Sequence, residues 1–242
     1  MNNVYEKLAE ALDRLPNGFP RTETGSDLRL LSHMYSKKEA EIACLMGREP
    51  MTAQEIADIL NIQQKEAMAG LLSMLRVDKV RMEKSDGKMG FRLSPFIVGS
   101  YEGQAENMDS TLAQLAEDYL QDGGTKGIMS VGPSVHRVIP VPDSVDLEWI
   151  LPYENVIEIL NNAKTFHVQE CICRKQRTEL GEGCDAPKNN CLSFSPIERK
   201  KKEGDISKEE AFRIIKEAED AGLVHSVSNV VDGIYYICNC PS

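Results

Sequence analysis

The first 170 residues of this 242-residue chain contain a single cysteine, Cys44, which excludes a disulfide framework or thiolate metal site built within that region. Positive charge is scarce: 28 Lys and Arg stand against 38 Asp and Glu, a net −10, which argues against a nucleic-acid coat or a polybasic membrane-binding surface. No uninterrupted apolar run reaches the roughly 18 residues that a membrane span requires. The opening Met1-Asn2-Asn3-Val4-Tyr5-Glu6-Lys7 lacks the long apolar stretch of a signal peptide, so the expected setting is cytoplasmic, without a membrane. Paired carboxylates, a nucleophile–base motif and a phosphate loop are also missing, and Gly123-Gly124-Thr125-Lys126 does not have phosphate-loop spacing. An accessory or electron-transfer role fits these absences better than a stand-alone enzyme.

The other six cysteines lie in the last 72 residues, as Cys171-Ile172-Cys173, Cys184, Cys191 and Cys238-Asn239-Cys240. Disulfides are disfavoured in a reducing compartment, so thiolates gathered from distant segments point first to a metal or metal–sulfur cluster. On a strand, Cys171 and Cys173 would face opposite ways, so their sharing a site calls for a turn in the backbone. Loops around Gly181-Glu182-Gly183 and Pro187-Lys188-Asn189-Asn190 would bend the chain around a compact inorganic core, with Arg174, Lys175 and Arg177 offsetting its negative charge. Structural zinc sites usually use two close Cys-x₂₋₄-Cys pairs, which this spacing does not repeat; iron–sulfur leads and zinc is the alternative. Two four-thiolate clusters would need eight cysteines, so one cluster per chain is the simpler expectation. Cys171, Cys173, Cys184 and Cys191 are the first candidates for ligands, and Cys238 and Cys240 are exchangeable candidates if a terminal hairpin closes the site. His167 and His225 read more readily as hydrogen-bonded residues than as ligands.

Upstream, residues 37–50 have helical periodicity. Thr52 and Glu55 form a capping-box pattern ahead of Ile56, Ile59 and Leu60, and residues 63–77 place Ala67, Leu71, Leu72 and Leu75 at helical spacing. Period-two alternation around Ser85-Asp86-Gly87 predicts a β-hairpin. Three helices and a hairpin predict a winged helix-turn-helix. Duplex binding would place helix 63–77 in the major groove and Arg81, Lys84, Lys88 and Arg92 near phosphates. Because residues 37–92 carry ten basic and nine acidic groups, docking or homodimerisation is favoured over DNA. Residues 4–15 predict a helix, and Leu28, Leu30 and Leu31 predict buried anchors. The acidic stretch 93–170, three basic against twelve acidic residues, holds helices near 111–120 and 152–163 and an edge strand or linker around Pro140 and Pro142. Trp149 and Tyr153 read as plain core. Ser207 and Glu210 predict a capped helix closed by Gly222, followed by a hairpin that returns Cys238 and Cys240 toward the earlier cysteines.

The expected fold class is α+β: an N-terminal helical extension (1–36), a winged-helix domain (37–100), an acidic helical connector (101–164) and a small α/β Cys-rich module (165–242). Several short stretches in this order carry a resemblance: 95–102, 137–140, 151–154, Cys171-Ile172-Cys173-Arg174, Cys184-Asp185-Ala186-Pro187, Cys191-Leu192-Ser193-Phe194, 206–211, 222–225 and Ile237-Cys238-Asn239-Cys240. The sequence resembles iron–sulfur proteins of anaerobic bacteria and archaea that couple a winged-helix-like region to a Cys-rich module. Longer members continue into ferredoxin-type repeats beyond the position of Cys240, so the likeness is to a short form. The resemblance implies a 4Fe–4S cluster and electron transfer with a protein redox partner. A redox- or metal-sensing DNA-binding regulator and a structural zinc-binding interaction protein are the competing expectations.

Overall fold

The structure is a computed structural model, and it describes residues 4–85, 87–130, 132, 134–140, 154–230 and 233–241. The expectations for Trp149, Pro152, Tyr153 and the 151–153 part of the resemblance lie outside these residues. The fold is mixed α/β, with helices and two small antiparallel sheets in two units. Unit 1 comprises Met1–Val131 with Glu179–Gly181, and unit 2 comprises Gly132–Thr178 with Glu182–Ser242. The division falls inside the stretch read as a connector. Its first helices belong to unit 1, and its edge strand and last helix belong to unit 2. No helix among the described residues is long and apolar enough to cross a membrane.

Unit 1 runs α1 (Val4–Asp13), α2 (Ser26–Met34), α3 (Lys37–Ala43), α4 (Ala53–Leu60), α5 (Gln64–Arg76), the hairpin β1 (Val80–Ser85) and β2 (Lys88–Leu93), α6 (Ser110–Tyr119) and α7 (Thr125–Ser130). The sequence-read capping box at Thr52 and Glu55 forms with both arms, and Ser36 and Glu39 form another at α3. These caps satisfy amide donors that a helix start otherwise leaves without partners. Helix α3 is shorter than the predicted 37–50, because the chain turns after Cys44 toward Pro50. In α5 the buried stripe is Ala67, Leu71 and Met74, while Leu72 is exposed, as is Ile59 on α4. The helix rotates so that Met74 fills the position assigned to Leu72 and Leu75. Helix α2 was missed as a helix; Leu30 and Leu31 are fully buried anchors as expected, whereas Leu28 is only partly buried.

The hairpin pairs Val80 with Leu93 through Ser85 with Lys88, and Met51 bridges Phe91 from the other side. A Cβ at Gly90 would meet Pro50 at 2.8 Å, so glycine permits this close approach. Phe19 stacks on Tyr119 at 4.6 Å and meets Phe96 edge-on at 4.9 Å, tying the chain around α6 to the N-terminal helices. Lys79 is nearly buried, with its Nζ 3.1 Å from a Glu39 carboxylate oxygen and 4.8 Å from the Tyr35 ring centroid.

In unit 2, β3 (His136–Val138), β4 (Thr165–Gln169), β5 (Cys191–Ser195), β6 (Asp205–Ile206), β7 (Val224–Ser228) and β8 (Tyr236–Cys240) form one antiparallel sheet in the order β3-β7-β8-β5-β4-β6. The predicted hairpin appears as β7 and β8, and the Pro-bounded strand sits at a sheet edge. Side chains alternate between the faces of a strand, so Phe166, Leu192, Phe194, Val227 and Ile237 share one face. That face is covered by α8 (Val156–Asn161) and α10 (Lys208–Asp220) through Leu160, Ala211 and Ile215. Ser207 caps α10 by accepting from Glu210 N at 3.2 Å, while the Glu210 carboxylate pairs with Arg213. Helix α9 (Ile172–Glu179) begins where the sequence reading placed a tight loop.

The pair Lys79–Glu39 generates a stability prediction. Burial opposes ionisation of Glu39, but the Ser36 N–H and the Lys79 ammonium outweigh it and hold the carboxyl below its usual value. Lys79→Met should lower the unfolding free energy by about 2–4 kcal/mol, measured by urea unfolding near neutral pH, because it strands a carboxylate in a partly buried site. A carboxyl with a depressed native pKa contributes stability above the ordinary glutamate range and loses it as pH falls through the native value. The gap between variant and wild type should therefore narrow in acid. An unchanged midpoint at neutral pH would contradict this account of the pair.

Candidate functional site

The backbone gathers the cysteine-bearing segments of unit 2 along one end of its sheet. The ladder pairs Gln169 with Cys191, and it pairs Ser193 with Tyr236 and Leu192 with Ile237. Continuing that register by one residue sets Cys191 beside Cys238. Because Leu192 and Ile237 face the core, Cys191, Cys238 and Cys240 fall on the opposite face. Gln169 Nε2 donates to Cys191 Sγ at 3.9 Å across the neighbouring strand.

Cys171 stands just before α9, and its carbonyl accepts from Lys175 N at 3.0 Å, so it occupies the cap position of the helix. The backbone turn required for Cys171 and Cys173 to share a site is thus supplied by a helix start. The Cys171 thiol is lowered to about 6, chiefly by a hydrogen bond from the Cys173 thiol; burial opposes this, and the Arg174 backbone N–H, the Arg174 guanidinium and the Cys173 N–H add to it. Helix-start amides favour a thiolate in this way. The Cys240 thiol is pushed the other way, by burial first and then by the negative charge of Cys171 and, more weakly, Cys191, against the Arg174 charge. Cys171 thus neighbours Cys173, and Cys240 lies within reach of the charge at Cys171 and Cys191. Cys173, Cys184 and Cys240 are exposed residues, and no hydrogen bond ties the Cys184 thiol to the others among the described residues.

Beneath the thiols lies a buried polar hub that the sequence reading missed. Arg174 is only 4% exposed; its guanidinium donates to Pro187 O, to Asn190 Oδ1 at 2.6 Å and to Asn239 O. Asn239 Nδ2 donates to Asn190 O at 2.7 Å, and Cys171 N donates to Lys188 O at 2.8 Å. Each of these bonds adjoins a cysteine: Cys171 and Cys173 precede Arg174, Cys191 follows Asn190, and Cys238 and Cys240 flank Asn239. Of the three basic residues expected to offset the thiolate charge, Arg174 makes these contacts, while Lys175 pairs with Glu170 at 3.4 Å and Arg177 with Glu182 at 2.7 Å. The hub's sequence signal is weak: two asparagines beside cysteines, which resemble ordinary loop residues.

The two candidate histidines are engaged elsewhere. His225 is buried with Nδ1 2.6 Å from Asn239 Oδ1, and His167 Nδ1 lies 3.3 Å from Asp205 Oδ1. No disulfide joins any of the seven cysteines. Among the described residues, no three or more His, Cys, Asp or Glu side chains are grouped so that they could hold a metal ion. The donor chemistry nevertheless fits a thiophilic group. Soft thiols lie near one another, one is poised as thiolate, and two buried donors, Arg174 Nε and Asn190 Nδ2, have no hydrogen-bond partner among the described residues. Orphan N–H groups beside thiolates are suited to donate to sulfur.

No family model matches the chain, and neither a curated protein nor a solved structure matches it.

Thiol reactivity follows from this geometry. With metal-free protein and iodoacetamide, the alkylation rate of Cys171, followed by mass spectrometry, should rise with a midpoint near pH 6 and then level off. The rate at Cys240 should still be climbing at the ordinary cysteine value. A Cys171 midpoint at or above that value would contradict the assigned cap geometry.

Proposed function

We propose that unit 2 binds one iron–sulfur cluster of the 4Fe–4S type on its cysteine rim, and that the protein passes single electrons to or from a protein partner. The observation that carries the reading is the rim itself: thiols from three distant segments share one sheet end above a buried guanidinium with an orphan donor. A bound cluster would supply a one-electron couple buffered over several iron and sulfur atoms. The chain's own contribution is to hold thiolates ready, to set a fixed positive charge behind them, and to aim the Arg174 Nε and Asn190 Nδ2 donors into the same locality. Fixed positive charge and N–H donors favour the reduced, more negative state of such a centre.

For unit 1 we propose a winged-helix module used for docking. The order α3, the Met51 bridge, α4, α5 and the β1–β2 hairpin supports the winged-helix reading. Ile59, Leu72, Met82 and Met89 are large apolar side chains that stay exposed on α4, α5 and the hairpin, a composition suited to protein contact rather than phosphate contact. Of the four basic residues expected near phosphates, Arg92 pairs with Glu83 at 2.5 Å and Arg81 donates to Val98 O at 3.0 Å. Lys84 and Lys88 are left exposed, a small charge for duplex binding.

The test is metal and acid-labile sulfide analysis of anaerobically purified or reconstituted full-length protein, with visible absorption before and after dithionite. About four iron and four sulfide per chain, with a broad visible absorption that bleaches on reduction, is the expected result. About one zinc per chain, with no sulfide even after reconstitution, would overturn the redox reading and make the rim a structural clamp.

A further inference from the structure

We propose that Cys191 and Cys238 are a reversible oxidation site: in the metal-free chain the two thiols close a disulfide across β5 and β8. The proposal stands on strand geometry and is independent of the iron–sulfur reading.

Several bonds set the two residues opposite each other. Leu192 pairs with Ile237 and Ser193 with Tyr236, and Phe194 N donates to Tyr235 O at 2.8 Å. In an antiparallel ladder, pairs that exchange backbone hydrogen bonds alternate with pairs that do not. Phe194 and Tyr235 are a bonded pair, so Leu192 and Ile237 are the next bonded pair, and Cys191 and Cys238 fall at the non-bonded position beyond. On their far side Asn239 Nδ2 donates to Asn190 O at 2.7 Å. Arg174 ties the same end again, since its guanidinium donates to both Asn190 Oδ1 and Asn239 O. The two cysteines are thus bracketed by a link between the strands on each side.

Residues opposed at a non-bonded position have Cα atoms about 4.5 Å apart and side chains on one face. A disulfide needs Cα atoms about 4.4–6.8 Å apart, so this pair can be bridged without moving the strands far. The neighbouring cysteines are placed less well. Cys240 lies two residues farther along β8 and is diagonal to Cys191, about 7–8 Å away. Cys238 and Cys240 are two strand rises apart, about 7 Å, with side chains parallel rather than convergent. A bridge between Cys171 and Cys173 would have to distort the first turn of α9. Cys191 and Cys238 are both partly exposed, so a small oxidant reaches them with the sheet intact.

Hydrogen peroxide is the oxidant. One thiolate attacks it, the O–O bond breaks, and the sulfur becomes a sulfenic acid as hydroxide leaves. The second thiol attacks that sulfur; the S–S bond forms, the S–OH bond breaks, and the two protons released leave as water. In sum two thiols and one peroxide give one disulfide and two waters, with two electrons passing from sulfur to oxygen. A bridge between adjacent strands is constrained and partly exposed, which places it among labile disulfides that a dithiol reopens. While it stands, neither sulfur is a thiolate donor.

The experiment treats the metal-free full chain with one equivalent of hydrogen peroxide, alkylates the remaining thiols and locates the bond by tandem mass spectrometry. Two of the seven thiols should be lost, joined as Cys191–Cys238, and dithiothreitol should restore both. The same treatment in urea should scatter the bond among other pairs, because the strands no longer select it. Cys240→Ser should keep the bridge and Cys238→Ser should lose it. Mapping of the wild-type chain decides the matter even if a variant folds poorly. A first bond joining Cys171 to Cys173, or Cys191 to Cys184 or Cys240, overturns the proposal. So does a chain that keeps all seven thiols, or a Cys191–Cys238 preference that survives in urea.

Discussion

The guanidinium of Arg174 is the constraint on which the arrangement of unit 2's cysteines depends. A buried arginine must have its donors met or its charge balanced, and here the acceptors are Pro187 O, Asn190 Oδ1 and Asn239 O rather than a carboxylate. Two segments far apart in sequence are therefore drawn to the cation carried by a third. Since each carries cysteine next to the residue that is held, meeting the needs of the arginine also assembles the thiols. The charge behind them has a second effect, because it favours thiolate at Cys171 and, in part, offsets the desolvation that raises the Cys240 thiol.

The remainder of unit 2 works as a frame for that hub. One face of the sheet is spent on an apolar core with α8 and α10, which fixes strand register, since a one-residue slip would turn Leu192, Phe194 and Ile237 outward and the cysteines inward. Register in turn decides that Cys191, Cys238 and Cys240 share a face. His225 and Asn239, opposite each other on β7 and β8, fill the buried positions at the same end with a matched polar pair instead of an apolar one. Unit 1 has a comparable buried charge in Lys79, but there the partner is the carboxylate of Glu39, and the outcome is a fixed helix start on α3.

Much of this was legible in the sequence where local rules decide. The caps at Thr52 and Ser207, the hairpin around Gly87 and the terminal hairpin all follow from side-chain chemistry within a few residues. Tertiary packing decided the rest. The phase of α5 shifted to bury Met74 and expose Leu72, a choice set by neighbouring helices that periodicity alone does not contain. Helix α9 was hidden because a Cys-x-Cys flanked by basic residues has no strong apolar stripe, and β5 because Cys191-Leu192-Ser193-Phe194 is a short alternating run beside a loop. The gathering of the cysteine-bearing segments was legible, but the polar clamp beneath them was not. It depends on Asn190 and Asn239, whose roles exist only once β5 and β8 are neighbours.

The central claim, that the Arg174-clamped rim holds an iron–sulfur cluster, is tested most directly by X-ray absorption at the iron edge of the anaerobically reconstituted protein. The account predicts iron surrounded by sulfur alone, with a second shell of nearby iron atoms. Iron surrounded by nitrogen or oxygen, with no second iron shell, would contradict it.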